Sequence, residues 1–217
     1  MHIPDGLIPL WQCAIYYLIV IIIGYFAVQW SRSHLDERNI PLIAVLAAGI
    51  FVIQMINQAI TPVLPGAGVS GHVMGAALVA IIIGSPFAGF LVMALILIIQ
   101  ALLFGDGGIT ALGANLFNMG VIGSFVGFYT YKGLKGIIKE VPAVFVGAWA
   151  SLFVAAIVCA IELYFAGKLP LEVGIPIMAT YHFIIGIVIE GLISVIVFVG
   201  IKRIRPDIIG GVKHVPE

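Results

Sequence analysis

The chain has 217 residues, of which 62% are hydrophobic and 9% charged, and its formal net charge is zero. Soluble domains are about 45–50% apolar and about 25% charged, so this chain cannot cover a water-facing surface. The composition excludes a soluble enzyme, a nucleic-acid-binding protein and a disordered module. It predicts an integral membrane protein whose main surroundings are the lipid bilayer.

Long uncharged stretches predict seven transmembrane helices, since one span needs about 20 apolar residues. A β-barrel is excluded because apolar residues run continuously instead of alternating. The predicted helices cover, in chain order, residues 8–30, 40–60, 71–84, 86–104, 109–131, 142–166 and 175–201. We expect an all-α protein with a single transmembrane domain over residues 1–217, from an N-terminal segment at 1–7 to a cytoplasmic tail at 202–217.

The distribution of Lys and Arg predicts the orientation of this bundle. Nine of the ten basic residues lie in the tail and in the loops after the first and fifth helices, and the tenth is Lys168. Cytoplasmic loops are enriched in Lys and Arg, so we expect the N-terminus outside and the C-terminus inside. The first basic residue, Arg32, comes too late for a signal peptide, and we expect the mature chain to begin at Met1.

The third predicted helix, 71–84, is unusually short. It rises about 21 Å against a hydrocarbon core about 30 Å thick, so the Pro- and Gly-rich segment 61–70 before it must dip inward. Non-helical backbone at this depth is tolerated where it is buried in protein or lines a cavity. We therefore expect His72 at the floor of an outward-facing hollow, on the same side of the membrane as Met1 and His2.

Met1, His2 and His72 form a candidate metal site. The Met1 amine, the His2 amide nitrogen and the His2 Nδ1 atom can close two chelate rings that put three nitrogens in one plane. His72 is the natural fourth donor, with His182 as its competitor, and square-planar nitrogen sites suit Ni(II) or Cu(II). The alternative is an ordinary N-terminal histidine together with a hydrogen-bonded His72 at a helix start.

Three polar residues lie near the predicted outer end of the fourth and fifth helices. Asp106 either orients the N-terminus or His72, as groups around metal ligands do, or caps a glycine-rich turn. Asn115 and Asn118 either bond to the dipping segment or bridge neighbouring helices.

Two glutamates and one histidine besides His72 fall inside predicted helices. Glu190 lies near the middle of the last helix, where such groups are functional candidates. It either relays protons, contacts a partner helix or bonds to a neighbouring carbonyl. Glu162 and His182, toward the outer ends of their helices, are a candidate pair.

Four stretches of the sequence closely resemble the CbiM/NikM family, the substrate-binding membrane components of energy-coupling-factor transporters for cobalt and nickel. They are MHIPDG at the start, SGHVMGAAL from residue 70, QALLFGDGGITALGANLFNMG from residue 100 and YHFIIGIVIEGLIS from residue 181. The resemblance implies a metal held by the Met1 amine, the His2 amide and imidazole nitrogens, and the His72 imidazole. Candidate supporting residues around these ligands are Ser70, Asp106, Asn115 and His182. The family usually has Thr-Ser before the second histidine, whereas this chain has Val69-Ser70.

The resemblance also implies Ni(II) or Co(II) as transported substrate in the cell membrane of a prokaryote. It implies as partners a transmembrane energising subunit, cytoplasmic ATPase subunits and a small auxiliary membrane subunit. The sequence has no Walker A motif, so ATP hydrolysis would come from those partners. Two alternatives remain open. One is a stand-alone secondary divalent-metal transporter, which usually carries paired repeats. The other is an intramembrane metalloenzyme, which needs an open coordination position and a general base.

Overall fold

The computed structural model describes residues 2–35, 37, 39–55, 58–59 and 70–210, with 58–59 and 70–71 described by their backbone alone. These residues form seven helices, as the sequence predicts. The helices are α1 (Leu10–His34), α2 (Ile40–Gln54), α3 (Ala76–Ile83), α4 (Pro86–Phe104), α5 (Leu112–Leu134), α6 (Glu140–Phe165) and α7 (Leu171–Ile204). A short antiparallel ladder joins β1 (Gln58–Ala59) to β2 (Ser70–Gly71), and a 3-10 turn at Pro206–Ile208 follows α7.

Helix α3 lies at the centre of the bundle. All eight of its residues are buried, and it packs against α4, α5, α6 and α7. A helix that is apolar on every side is stable only when it is enclosed, as this one is. Small residues allow α3 to pack closely against its neighbours. A Cβ atom added to Gly127 of α5 would lie 2.3 Å from the Cβ of Ala77 in α3. Helix α1 packs on α4 and α5, and α2 packs on α4.

The outer surface of the bundle is apolar. Among the described residues, five helices are long and apolar enough to cross a membrane, namely α1, α4, α5, α6 and α7, whereas α2 is a shorter apolar helix of 15 residues. Large side chains such as Leu18, Ile21 and Tyr25 of α1 are exposed on this surface. Their exposure is unfavourable in water and natural in lipid, so the chain is an integral membrane protein.

The start of α3 differs from the sequence-based prediction. Helix α3 begins at Ala76 rather than at residue 71, so His72 does not open the helix. Gly75 has φ +76°, in the left-handed region that interrupts a right-handed helix. The segment 72–75 is non-helical and buried in protein, whereas residues 61–69, most of the segment predicted to dip inward, lie outside the described residues. Helix α2 also ends earlier than predicted, at Gln54 rather than residue 60.

Three of the long helices contain π-helical stretches, and each carries a buried polar side chain. Gln100 lies in the stretch at the end of α4, Asn118 in the stretch within α5, and Glu190 in the stretch within α7. Such local widenings frequently occur at functional sites.

Candidate metal-binding site

The N-terminal segment, residues 2–5, lies against the start of α5. Asn115 holds the main chain of Ile3 from both sides: its Oδ1 accepts the Ile3 N–H at 2.7 Å, and its Nδ2 donates to the Ile3 carbonyl at 3.0 Å. The Gly108 N–H donates to the same carbonyl at 2.9 Å. The Ile3 side chain is fully buried. Asn115 therefore bonds to the N-terminal segment, at the residue that follows His2.

Asp5 fixes the other end of this segment. Its carboxylate accepts hydrogen bonds from the main-chain N–H groups of Ile109, Thr110 and Ala111, just before α5 begins, and from the Thr110 hydroxyl. The bonds from Thr110 lower the pKa of the Asp5 carboxyl. Gly108 permits the contact, because a Cβ atom there would lie 2.2 Å from Asp5 Oδ1 and 2.4 Å from Asp5 N.

This anchoring brings the side chains of His2 and His72 together. His2 Nδ1 lies 3.0 Å from His72 Nε2, with ring centroids 4.6 Å apart. Both residues are 3% exposed. Burial lowers the pKa of His2 to about 3, so its ring is neutral at neutral pH and a ring nitrogen is available as a ligand. The structure thus joins two of the predicted ligands that lie 70 residues apart.

The hydrogen-bond partners of His2 Nε2 and His72 Nδ1 determine which ring nitrogens are unprotonated. His72 Nδ1 lies 2.6 Å from the Val73 carbonyl, and His2 Nε2 lies 3.0 Å from Gln100 Oε1. Carbonyl oxygens only accept hydrogen bonds, so both of these nitrogens carry hydrogens. The facing pair, His2 Nδ1 and His72 Nε2, then presents two lone pairs to each other. Two lone pairs at this distance repel unless a cation lies between them.

Asp106 stands beside this pair of imidazoles. Its Oδ1 lies 3.4 Å from His2 Nδ1, and it sits between Gly105 and Gly107, which both have positive φ. Burial raises the pKa of the Asp106 carboxyl. The structure therefore places Asp106 both beside His2 and within the glycine-rich turn.

The other predicted site residues are distributed as follows. Met1 lies outside the described residues, and Ser70 is described by its backbone alone. His182 is buried, and its Nδ1 bonds to the Met178 carbonyl one turn earlier in α7.

Two buried glutamates lie in the same bundle. Glu190 accepts the main-chain N–H groups of Met74 and Gly75 rather than contacting a carbonyl. Glu162 accepts a hydrogen bond from Asn118 Nδ2, which thereby bridges α5 and α6. The predicted pairing of Glu162 with His182 is therefore not formed.

Sequence reasoning missed Gln54 and Gln100. Gln100 contacts His2 directly, and Gln54 bonds to Gln100. The available signal was their position inside otherwise apolar helical runs, where a buried amide needs a specific partner.

Side chains alone do not complete a metal site here. Within the part of the chain that the structure describes, no group of three or more His, Cys, Asp or Glu side chains is arranged to hold a metal ion. A metal bound between His2 and His72 would need further donors from the main chain or the amino terminus.

Fold and site together define a class of protein, namely a helical membrane protein in which two neutral imidazoles, those of His2 and His72, are buried side by side. Comparison with known proteins identifies the family within this class. Residues 2–208 match the CbiM family, described as the cobalt uptake substrate-specific transmembrane region, and the chain belongs to this family. The resemblance to CbiM/NikM proteins is thereby confirmed, and the chain is a membrane component of metal uptake.

Relatives and solved structures agree with this assignment. A Methanocaldococcus jannaschii protein, provisionally named a metal transport protein, is 38% identical over 215 residues, covering 96% of this chain and 94% of that protein. The fused nickel transport protein NikMN of Rhodobacter capsulatus is 33% identical over 227 residues, covering 96% of this chain and 64% of that protein. A crystal structure described as a truncated transition metal transporter aligns with TM-score 0.86 and 32% identity, over 94% of this chain and 99% of the other. The names of these relatives favour a transporter over an enzyme.

Proposed function

We propose that this chain is the substrate-specific subunit of an ATP-driven nickel or cobalt uptake transporter. It captures Ni(II) or Co(II) from outside through the Met1 amine, the amide nitrogen and Nδ1 of His2, and Nε2 of His72. The metal is the transported substrate rather than a resident cofactor. The proposal extends the family assignment to particular ligands, an orientation and an energy source.

The facing pair of ring nitrogens is the observation that carries the proposal. Metal–imidazole bonds are about 2.0–2.1 Å long, so donors at adjacent corners of a square lie about 2.9 Å apart. His2 Nδ1 and His72 Nε2 are 3.0 Å apart. Nδ1 is also the His2 nitrogen that closes a six-membered ring with the residue's own amide nitrogen. The contact with Gln100 occupies Nε2 and leaves Nδ1 for the metal.

The donor set favours nickel. Four nitrogens in a plane, one of them a deprotonated amide, suit Ni(II) or Cu(II) better than metals that prefer six oxygens. The relative from Rhodobacter capsulatus is named a nickel transport protein, which supports the same choice.

The sequence supports the proposed orientation and partners. Nine basic residues on one side of the predicted bundle favour an outside N-terminus and a cytoplasmic tail. The chain contains no Walker A motif, so cytoplasmic ATPase subunits and a transmembrane energising subunit would drive uptake. The fused form of the relative is consistent with a further small membrane subunit.

One experiment tests the amino-terminal ligand. Adding a single alanine before Met1 converts the terminal amine into an amide and moves it away from His2. We expect Ni(II) binding, measured by calorimetry on the detergent-purified protein, to be lost. The same residue added after Glu217 is the control, and binding should persist. Tight binding by the N-terminally extended protein would overturn the proposed ligation.

Uptake in cells tests the energy source. Cells producing this chain together with the energising and ATPase subunits should accumulate nickel or cobalt, and cells producing the chain alone should not. Equal accumulation in both would favour a stand-alone transporter instead.

A further inference from the structure

Glu190 lies at the base of a hydrogen-bonded network that reaches both imidazoles. Its carboxylate is fully buried within the π-helical stretch of α7. One oxygen, Oε2, accepts the Met74 N–H at 2.7 Å, and the other, Oε1, accepts the Gly75 N–H at 2.8 Å. Two consecutive peptide groups are therefore fixed by one side chain.

The first peptide group connects Glu190 to His72. Its N–H belongs to Met74 and its carbonyl to Val73. While the N–H donates to Glu190, the Val73 carbonyl accepts from His72 Nδ1 at 2.6 Å. The carboxylate thus polarises the carbonyl that holds the His72 ring, because hydrogen bonds in series strengthen one another.

The second peptide group connects Glu190 to His2 through two glutamines. Its N–H belongs to Gly75 and its carbonyl to Met74, which accepts from Gln54 Nε2 at 2.7 Å. Gln54 Oε1 accepts from Gln100 Nε2 at 3.0 Å, and Gln100 Oε1 faces His2 Nε2 at 3.0 Å.

Every link in these two chains has a fixed direction. A carboxylate and a carbonyl can only accept, so each amide must turn its NH₂ group toward Glu190 and its oxygen toward the histidine. Both chains therefore end on an imidazole N–H. The opposite nitrogen of each ring is left bare, and these two nitrogens are the facing pair between which we place the metal.

We infer that Glu190 is the positioning residue of the metal site: through the two chains it sets the tautomers of His2 and His72 and keeps both metal-facing nitrogens unprotonated. This inference rests on the proposed function, because the two unprotonated nitrogens serve as ligands only if a metal binds between them. Groups of this kind orient ligands and raise their basicity, and their loss typically weakens metal binding by about 10- to 100-fold. A glutamine in place of Glu190 could accept only one of the two N–H groups, so one chain would break.

The tautomers can be measured without metal. In apo protein carrying ¹⁵N-labelled histidine, two-bond ¹H–¹⁵N spectra report which ring nitrogen bears the hydrogen. We expect Nε2–H for His2 and Nδ1–H for His72. In the Glu190→Gln variant at least one ring should become a mixture of tautomers, and the dissociation constant for Ni(II) should rise by about 10- to 100-fold.

A second variant separates the two chains. Gln100→Met keeps the length and volume of the side chain but removes the acceptor for His2. It should change the tautomer of His2 alone and leave that of His72 as in the wild type. This variant also carries the test if Glu190→Gln does not fold, because it leaves the Glu190 contacts intact.

The matched control is Glu162→Gln. Glu162 is an equally buried glutamate that bonds to Asn118 and belongs to neither chain. Its replacement should leave both tautomers and the Ni(II) affinity unchanged. Wild-type tautomers and affinity in a folded Glu190→Gln protein would overturn the inference, and so would an unchanged His2 tautomer in the Gln100→Met protein. Tautomers as expected in a wild-type protein that binds no Ni(II) would instead refute the proposed function and leave the network in place.

Discussion

Asn115 is the residue through which α5 holds the N-terminal segment, and its replacement should weaken metal binding without unfolding the bundle. Asn115→Leu preserves the branched shape of the side chain and removes both of its hydrogen bonds to Ile3. Because His2 precedes Ile3 directly, release of the segment separates His2 from His72.

The size of the effect can be worked out from these bonds. The Ile3 N–H loses its acceptor while buried, and the Ile3 carbonyl keeps only the bond from Gly108. A buried unsatisfied N–H costs about 1–3 kcal/mol, and the lost bond to the carbonyl about 1 kcal/mol. The free protein escapes this cost by releasing the segment, whereas the metal complex cannot. A change of about 2–4 kcal/mol then raises the dissociation constant by about 30- to 700-fold.

Calorimetric titration of Ni(II) into the detergent-purified proteins measures this change. The control is Ser124→Ala in the same helix, where the buried hydroxyl has no hydrogen-bond partner among the described residues and its loss should be neutral. Helical content from circular dichroism should match the wild type in both variants. A dissociation constant for Asn115→Leu within about twofold of the control would refute the anchoring role of Asn115.

Two further variants test the contacts that hold the N-terminal segment against the start of α5. Gly108→Ala places a Cβ atom 2.2 Å from Asp5 Oδ1 and 2.4 Å from Asp5 N, so the segment must move. Overpacking of this kind costs about 1–3 kcal/mol, and Ni(II) affinity should fall, whereas Gly133→Ala, which meets no atom within 4 Å, should bind normally. Asp5→Asn removes the negative charge next to the N–H groups that precede α5 and should lower stability by about 0.3–1 kcal/mol near neutral pH, measured as a lower melting temperature. The folded pKa of Asp5 is lowered, so this difference should be complete above the unfolded value of about 3.9 and vanish as pH falls through the folded one. A difference that persists at lower pH would contradict the role of the Asp5 charge.

The sequence predicted the helices well because membrane spans depend on composition. Twenty apolar residues in succession have few alternatives to a helix in lipid, so the five long helices could be identified directly. The start of α3 could not be predicted in the same way. It depends on the left-handed backbone of Gly75 and on the two hydrogen bonds from Met74 and Gly75 to Glu190, more than 100 residues away.

The site was predictable only in part, for a related reason. Chelate geometry is local, so it pointed to His2, and the topology placed His72 on the same side. The residues that orient these rings come from distant helices: Gln100 from α4 and Gln54 from α2. A glutamine in an apolar helix indicates a buried hydrogen bond without naming its partner. Asn115 was identified as a polar residue of the fifth helix, but its bonds to Ile3 depend on how the N-terminal segment lies on α5.

The nickel complex of the protein with its native Met1 tests the central claim most directly. Optical and X-ray absorption spectra report the number, type and geometry of the ligands. The proposed ligation predicts a diamagnetic, square-planar Ni(II) centre with four nitrogen donors, which His72→Ala should abolish. A six-coordinate centre with oxygen donors, or an unchanged spectrum in the His72→Ala variant, would contradict it.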